Sequence, residues 1–356
     1  MRTDLIRIPD RRKLLKWIAL SAAMICLFSF GLGDAVAPAA AAEKKATKGK
    51  PIEVKISTVL GPGGTEEASL KKFKELLEQR SGGEFVVNIF LSGVLGNEKG
   101  TMEQLTLGET EMQFQGETGF ATYCPELFPF SIPFLYDSVD LLMEALDGGL
   151  GKQIKDAHLR KGKIRFAGYA PRGPRKLSAN KSITKVEDVK NLKLRLPVIK
   201  PFIEVWKEFG AIPTPITPEE LFSALQLNMV SAQENPLSAI LALRVTEVQK
   251  YIMNTDHVYG LRVWYISEKF FQSLNARQQE MLLGATADAV KYQRKIDQEW
   301  EGSLRKQMEQ KWGIIFKDVD KASFRNKIRP AVERLKGMFD AQAYEKYVLP
   351  NLPPAK

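Results

Sequence analysis

From Ile52 onward apolar and polar positions alternate. Ile52, Val54 and Ile56 recur at a period of two, as do Phe85, Val87 and Ile89, and Met112 and Phe114, so three short strands are predicted. Between the first two, Leu70, Phe73, Leu76 and Leu77 share one helical face, opening after Thr65 as a cap and closing at Gly82-Gly83. Helical spacing then covers 138–146 and 150–161, followed by a strand from Ile164 to Tyr169. A second block reads as a strand at 194–196, helices over 200–209, 218–228 and 236–249, and a strand from Leu261 to Ser267. Strands alternating with helices predict an α/β fold with a parallel sheet. From Ala276 to Trp312 no proline interrupts a run of helix formers, with Met281, Leu282, Ala285, Ala289 and Tyr292 on one apolar face. That run is about three times the mean helix length, so it is expected to span more than one domain, with a break near Gly302.

Length and composition narrow the picture. A chain of 356 residues is too long for one continuous core and favours two domains. With 44% hydrophobic and 26% charged residues it is globular, not disordered. Cys26, Cys124, His158 and His257 are the only cysteines and histidines, which excludes a Cys-rich zinc site, an iron–sulfur cluster and a disulfide scaffold.

The first forty residues read as an export signal. Arg11, Arg12, Lys13 and Lys16 precede an apolar run from Trp17 to Leu32, and small residues end at Ala40-Ala41-Ala42, placing cleavage before Glu43. The Arg pair also fits a twin-arginine signal, and both export routes stay open. Ile25 before Cys26 argues against lipid attachment. Residues 1–42 carry six basic and three acidic side chains, so the exported chain holds +7 of the full +10. Residues 43–51 read as a flexible spacer, and no later stretch is long and apolar enough to span a bilayer.

Catalytic motifs are missing. Gly61-Pro62-Gly63-Gly64 lies between a strand and a helix without the spacing of a nucleotide-binding loop, and Gly148-Gly149-Leu150-Gly151-Lys152 lacks the Ser or Thr of a P-loop. There is no G-x-S-x-G elbow. His158, amid charges, is expected on the surface, His257 is expected to order a loop, and Cys124 to be a small buried apolar group. The charge is dispersed, without a basic-aromatic module, so nucleic acid is not an expected partner. No cofactor, metal or catalytic group is expected.

The stretch 193–237 is the most unusual. Arg195 is placed at the end of a short strand, before Leu196-Pro197, where side chains of an α/β sheet face the ligand crevice. A guanidinium there can hold a carboxylate with two parallel hydrogen bonds, although a structural ion pair is the alternative. Together with Leu95-Gly96, Pro125-Glu126-Leu127, Ile132-Pro133-Phe134-Leu135, Lys193-Leu194-Arg195-Leu196-Pro197, Gln233-Glu234-Asn235-Pro236 and His257, this order of motifs resembles the solute-binding proteins of tripartite ATP-independent periplasmic (TRAP) transporters, of the DctP type.

The resemblance implies a two-lobed periplasmic α/β fold with hinge-linked lobes and a long helix bracing both. It places 52–172 with 261–300 in lobe I, and 173–260 with 301–356 in lobe II. It implies a monomeric receptor that closes on a small organic acid and delivers it to the small and large permease subunits, with a periplasmic sensor or a hydrolase as alternatives. Arg195 would bridge to the ligand carboxylate, with Asn235 and Arg175 beside it. Arg262 and Tyr259 at the second crossing, and Glu117 with Thr118 after the Met112 strand, would line the pocket. Ser231-Ala232 stand where the family reads Asp-Gly, away from direct ligand contact, whereas Pro218 at an often aromatic position and the Gly61-Pro62-Gly63-Gly64 loop would shape the pocket's far end and suggest a ligand other than a four-carbon dicarboxylate or sialic acid.

Overall fold

The computed structural model describes residues 50–354 apart from Glu117 and the side chain of Thr118. The export signal and most of the spacer lie outside the described residues. The chain lays down β1 (Ile52–Ser57), β2 (Phe85–Phe90), β3 (Met112–Gln115) and β4 (Ile164–Pro171). It then forms β5 (Lys176–Ala179), β6 (Lys193–Leu196), β7 (Ile212–Pro215), β8 (Ala232–Asn235) and β9 (Tyr251–Met253), and finally β10 (Leu261–Ser267) and β11 (Ile315–Lys317).

These strands build two sheets, ordered β2-β1-β3-β10-β4 and β11-β9-β5-β8-β6-β7. Neither is the purely parallel sheet that the alternation of elements suggested. β1 runs parallel to β2 and β3, whereas β10 is antiparallel to β3 and β4. In the second sheet β6 is parallel to β7 and β8, but β5 is antiparallel to β8 and β9. The cause is the crossing of the chain: a strand that returns from the other sheet enters from the opposite end. The two crossing segments are bonded to each other, Arg172 N–H donating to Gly260 O (3.1 Å), Arg175 N–H to Val258 O (2.9 Å) and His257 N–H to Arg175 O (3.2 Å).

The first sheet buries Val54, Ile56, Phe114 and Trp264 against Phe73 of the helix Thr65–Arg80 and Leu282 and Ala285 of the helix Ala276–Trp312. Trp264 is central, with ring centroids 4.6 Å from Phe114 and 5.3 Å from Phe73. The long helix is continuous through Gly302, without the expected break. Asn275 and Gln278 form a reciprocal capping box at its start, and Gly313 at φ 64° closes it in the left-handed region. At about 1.5 Å per residue it is long enough to serve two cores. Leu282, Ala289 and Val290 pack on the first sheet, and Leu304 and Met308 join Leu221, Val230 and Ile252 beside the second. Gly168 of β4 allows this helix its close approach, since a Cβ there would lie 2.9 Å from Val290 Cγ2.

Two further local expectations fail. The segment 236–249 contains only a short helix, Leu237–Ala242, and a 3₁₀ turn, Val245–Glu247, because Arg244 takes a left-handed φ of 58° between them. His158 is fully buried, not on the surface, stacked on Tyr265 (5.5 Å) and flanked by Phe120 and Phe166. Its helix Gly149–Gly162 turns Leu150, Ile154, Ala157 and His158 inward while its many charges face out, and counting charges in the sequence window hid that face.

Candidate ligand-binding site

Arg195 sits in β6 between Leu194 and Leu196, both fully buried, with Gln233 of β8 and Thr214 of β7 as its pairing neighbours. It is itself only 1% exposed. Its Nε–H donates to Ile216 O (2.8 Å), while the buried Nη2 has no hydrogen-bond partner among the described residues. Burial lowers its pKa to about 10, with Glu234 opposing the shift, so it stays charged at neutral pH. A buried guanidinium with unspent donors is a site for an incoming anion.

Asn235 ends β8, and the antiparallel register of β5 pairs Lys176 with Asn235, which sets Arg175 beside it. Arg175 donates through Nε and Nη2 to the two Glu234 carboxylate oxygens (2.5 and 2.8 Å) and through Nη2 to Asn235 Oδ1 (3.0 Å). Asn235 Nδ2 in turn donates to Gln233 Oε1 (2.7 Å). Glu234 also lies 2.9 Å from His257 Nε2, and the Thr255 hydroxyl 2.8 Å from His257 Nδ1. Burial would raise the Glu234 carboxyl, but Arg175 and His257 hold it below the usual carboxylate range. Burial also keeps His257 neutral, so its Nε2–H donates to Glu234 and its Nδ1 accepts from Thr255.

On the other side, Arg262 of β10 donates to Glu66 Oε1 from Nε (3.0 Å) and Nη2 (2.5 Å). Glu66 opens the helix Thr65–Arg80 and also accepts from the Ser238 hydroxyl (3.0 Å), which belongs to the helix after β8. The loop after β1 meets that same helix, for a Cβ on Gly61 would stand 2.9 Å from Ala242 O. Val59, Leu60 and Ala239 bury one another there. The two walls therefore touch around a cavity of about 40 Å³ lined by Arg172, Arg175, Arg195, Asn235 and Arg262. That space holds a carboxylate-sized group. Arg195, Pro197, Ile199 and Pro218 line this cavity and also a neighbouring chamber of about 350 Å³.

Residues 56–337 match the bacterial extracellular solute-binding proteins of family 7, DctP. The chain belongs to this family. A solute-binding protein of Roseobacter denitrificans is 32% identical over 73% of this chain and 80% of its own. The 2,3-diketo-L-gulonate-binding periplasmic protein of Escherichia coli is 28% identical over 73% of this chain and 79% of its own. Among solved structures, the sugar-acid-binding protein of Advenella mimigardefordensis in complex with galactonate is similar with a TM-score of 0.79 and 28% identity, covering 84% of this chain and 97% of that one.

In this DctP protein the structure brings Arg195, Asn235, Arg175 and Arg262 to one cavity. It does not bring Tyr259 there. Tyr259 lines a separate small cavity with Phe130, Tyr136 and His257, in the crossing segment whose Val258 carbonyl accepts from Arg175 N–H. Glu117 and the side chain of Thr118 lie outside the described residues. Sequence reasoning missed Arg172, which lines the cavity and packs over Gly116, and it missed Glu66 and Glu234 as anchors of the arginines. The repeated arginine in Pro171-Arg172-Gly173-Pro174-Arg175 was the available signal for the first.

Asp297 of the long helix stands next to this anchor. Burial, reinforced by the Glu66 charge, pushes its carboxyl up to about 6, against hydrogen bonds from Thr65 and Gln293 and the charge of Arg262. A raised folded-state pKa means stability that is full below the unfolded value near 3.8 and is lost as pH rises through about 6. Asp297→Asn is therefore expected to melt higher than the wild type at pH 7.5, with the gap narrowing as the pH falls below 6. Thermal unfolding across pH 4–8 checks this, and a gap that does not vary with pH would contradict it.

Proposed function

We infer that this protein is the periplasmic solute receptor of a TRAP transporter, that it is not an enzyme, and that it takes a small carboxylate at Arg195 and hands it to the small and large membrane subunits. The carrying observation is Arg195: buried, charged, and with Nη2 unpartnered among the described residues at the wall of a closed cleft. The relatives named for 2,3-diketo-L-gulonate and bound to galactonate support a carboxylate. Asn235 and Arg175 complete the anion contacts, and the Glu234 and Glu66 pairs hold the arginines in place. Both export routes remain compatible with the leader, and the receptor acts as a monomer.

In this reading the two sheets are the cores of the two lobes, 52–172 with 261–300 and 173–260 with 301–356. The bonded crossings at 171–176 and 253–261 form the hinge. Closure removes water from the ion pair, and an Arg–carboxylate contact worth little in water becomes strong. The ligand thus selects the closed shape that the membrane subunits read. Small-angle scattering of the protein saturated with a carboxylate found by thermal-shift screening is expected to give a smaller radius of gyration than the free protein. Superimposable curves at saturation would count against a hinge-closing receptor.

A further inference from the structure

The chamber beyond Arg195 has walls that do not suit a polyhydroxylated or doubly charged ligand. On the side of the second sheet it is lined by Pro197, Val198, Ile199, Ile216 and Pro218, and Ala121 faces it from the first. Its polar side chains are largely committed. Asn97 Oδ1 accepts from Gly100 N–H (2.8 Å) and the Thr217 hydroxyl donates to Glu220 (2.9 Å). Lys99 is 79% exposed, at the rim. Glu98 lines both the chamber and the arginine cavity, and a second carboxylate there would meet a like charge.

Val198 adds an independent observation. In a segment whose neighbours Leu194, Leu196 and Ile199 are buried, Val198 is 70% exposed. It forms part of this chamber and of a second apolar cavity of about 310 Å³ lined by Ala121, Phe128, Ile203 and Met338. Ile199 and Ala121 also belong to both. An apolar side chain held out at the junction of two apolar spaces gains free energy when an apolar group covers it.

We propose that the ligand is a monocarboxylate with an apolar body, a branched aliphatic or aromatic acid, whose carboxylate meets Arg195 and whose body lies on Val198, Ile199, Ile216 and Pro218. The proposal rests on the reading of Arg195 as the carboxylate anchor. It names a class different from the polyhydroxylated galactonate bound by the Advenella relative. The polar end is fixed by charge, and the rest is selected by water released from the chamber wall.

Calorimetry on the exported protein decides it, with 4-methyl-2-oxopentanoate and 3-phenylpropanoate as apolar probes and D-galactonate and succinate as polar ones. At least one apolar acid is expected to bind ten-fold or more tighter than both polar acids. Val198→Ser, at an exposed position that leaves folding intact, is expected to weaken that acid about five-fold or more. Tighter binding of galactonate or succinate, lost in Arg195→Ala, would overturn the proposal while leaving a carboxylate receptor. Unchanged affinity of the apolar acid in Val198→Ser would overturn the assignment of the wall. Binding of no acid from a wider panel of mono- and dicarboxylates would overturn the receptor reading as well.

Discussion

Arg195→Ala is expected to weaken binding of the cognate carboxylate by about 2–5 kcal/mol in calorimetry, the range for breaking a desolvated, hydrogen-bonded charge pair. The magnitude follows from burial. At 1% exposure the guanidinium has lost most of its water, yet among the described residues it holds only the Ile216 carbonyl and no carboxylate within ion-pair distance. In the proposed function the anion supplies the partner that the described residues do not. Arg195→Lys should recover little, since an ammonium cannot present two parallel donors at the end of β6. A structural role makes a different prediction: the alanine variant would lose folding stability and keep its affinity. Binding within threefold of the wild type would exclude Arg195 as the anchor.

Glu234→Ala is expected to have the largest effect on folding, a loss of about 3–5 kcal/mol in urea unfolding at pH 7, because it leaves Arg175 buried without its carboxylate. Glu234 is 0% exposed and joins Arg175, His257 and the end of β8 in one network. Its depressed pKa fixes the sign in acid: this stabilisation is present above the ordinary carboxylate range and is lost as pH falls toward the folded-state value. The variant should thus lose less stability than the wild type on acidification. An unchanged urea midpoint would mean that the other partners of Arg175, Asn235 among them, hold it without Glu234.

These two residues also show how far the chain can be read before it folds. Alternation at Ile52–Ile56 and Phe85–Ile89, and the unbroken helical run from Ala276 to Trp312, correspond to β1, β2 and the long helix, because period and propensity are properties of neighbours. The motif order around Arg195 and Asn235 pointed to the family for a related reason: both residues lie in short stretches whose turns and prolines are written locally. Charge counting misjudged His158, since a helix can carry lysines on one face and bury a histidine on the other. The parallel sheet was misjudged because strand direction depends on where the chain re-enters.

Residue type and local spacing by themselves determined the α/β class, the long helix and a buried-strand arginine suited to an anion. Only the tertiary structure decided that β10 returns antiparallel to β4, that Arg175 is clamped by Glu234 across 59 residues, and that Arg262 is clamped by Glu66 across 196. It also decided that Arg195 keeps its Nη2 without a hydrogen-bond partner among the described residues. The physical reason is that local conformation costs and gains free energy among adjacent residues, whereas desolvation and ion pairing depend on which distant side chain arrives at the same buried point.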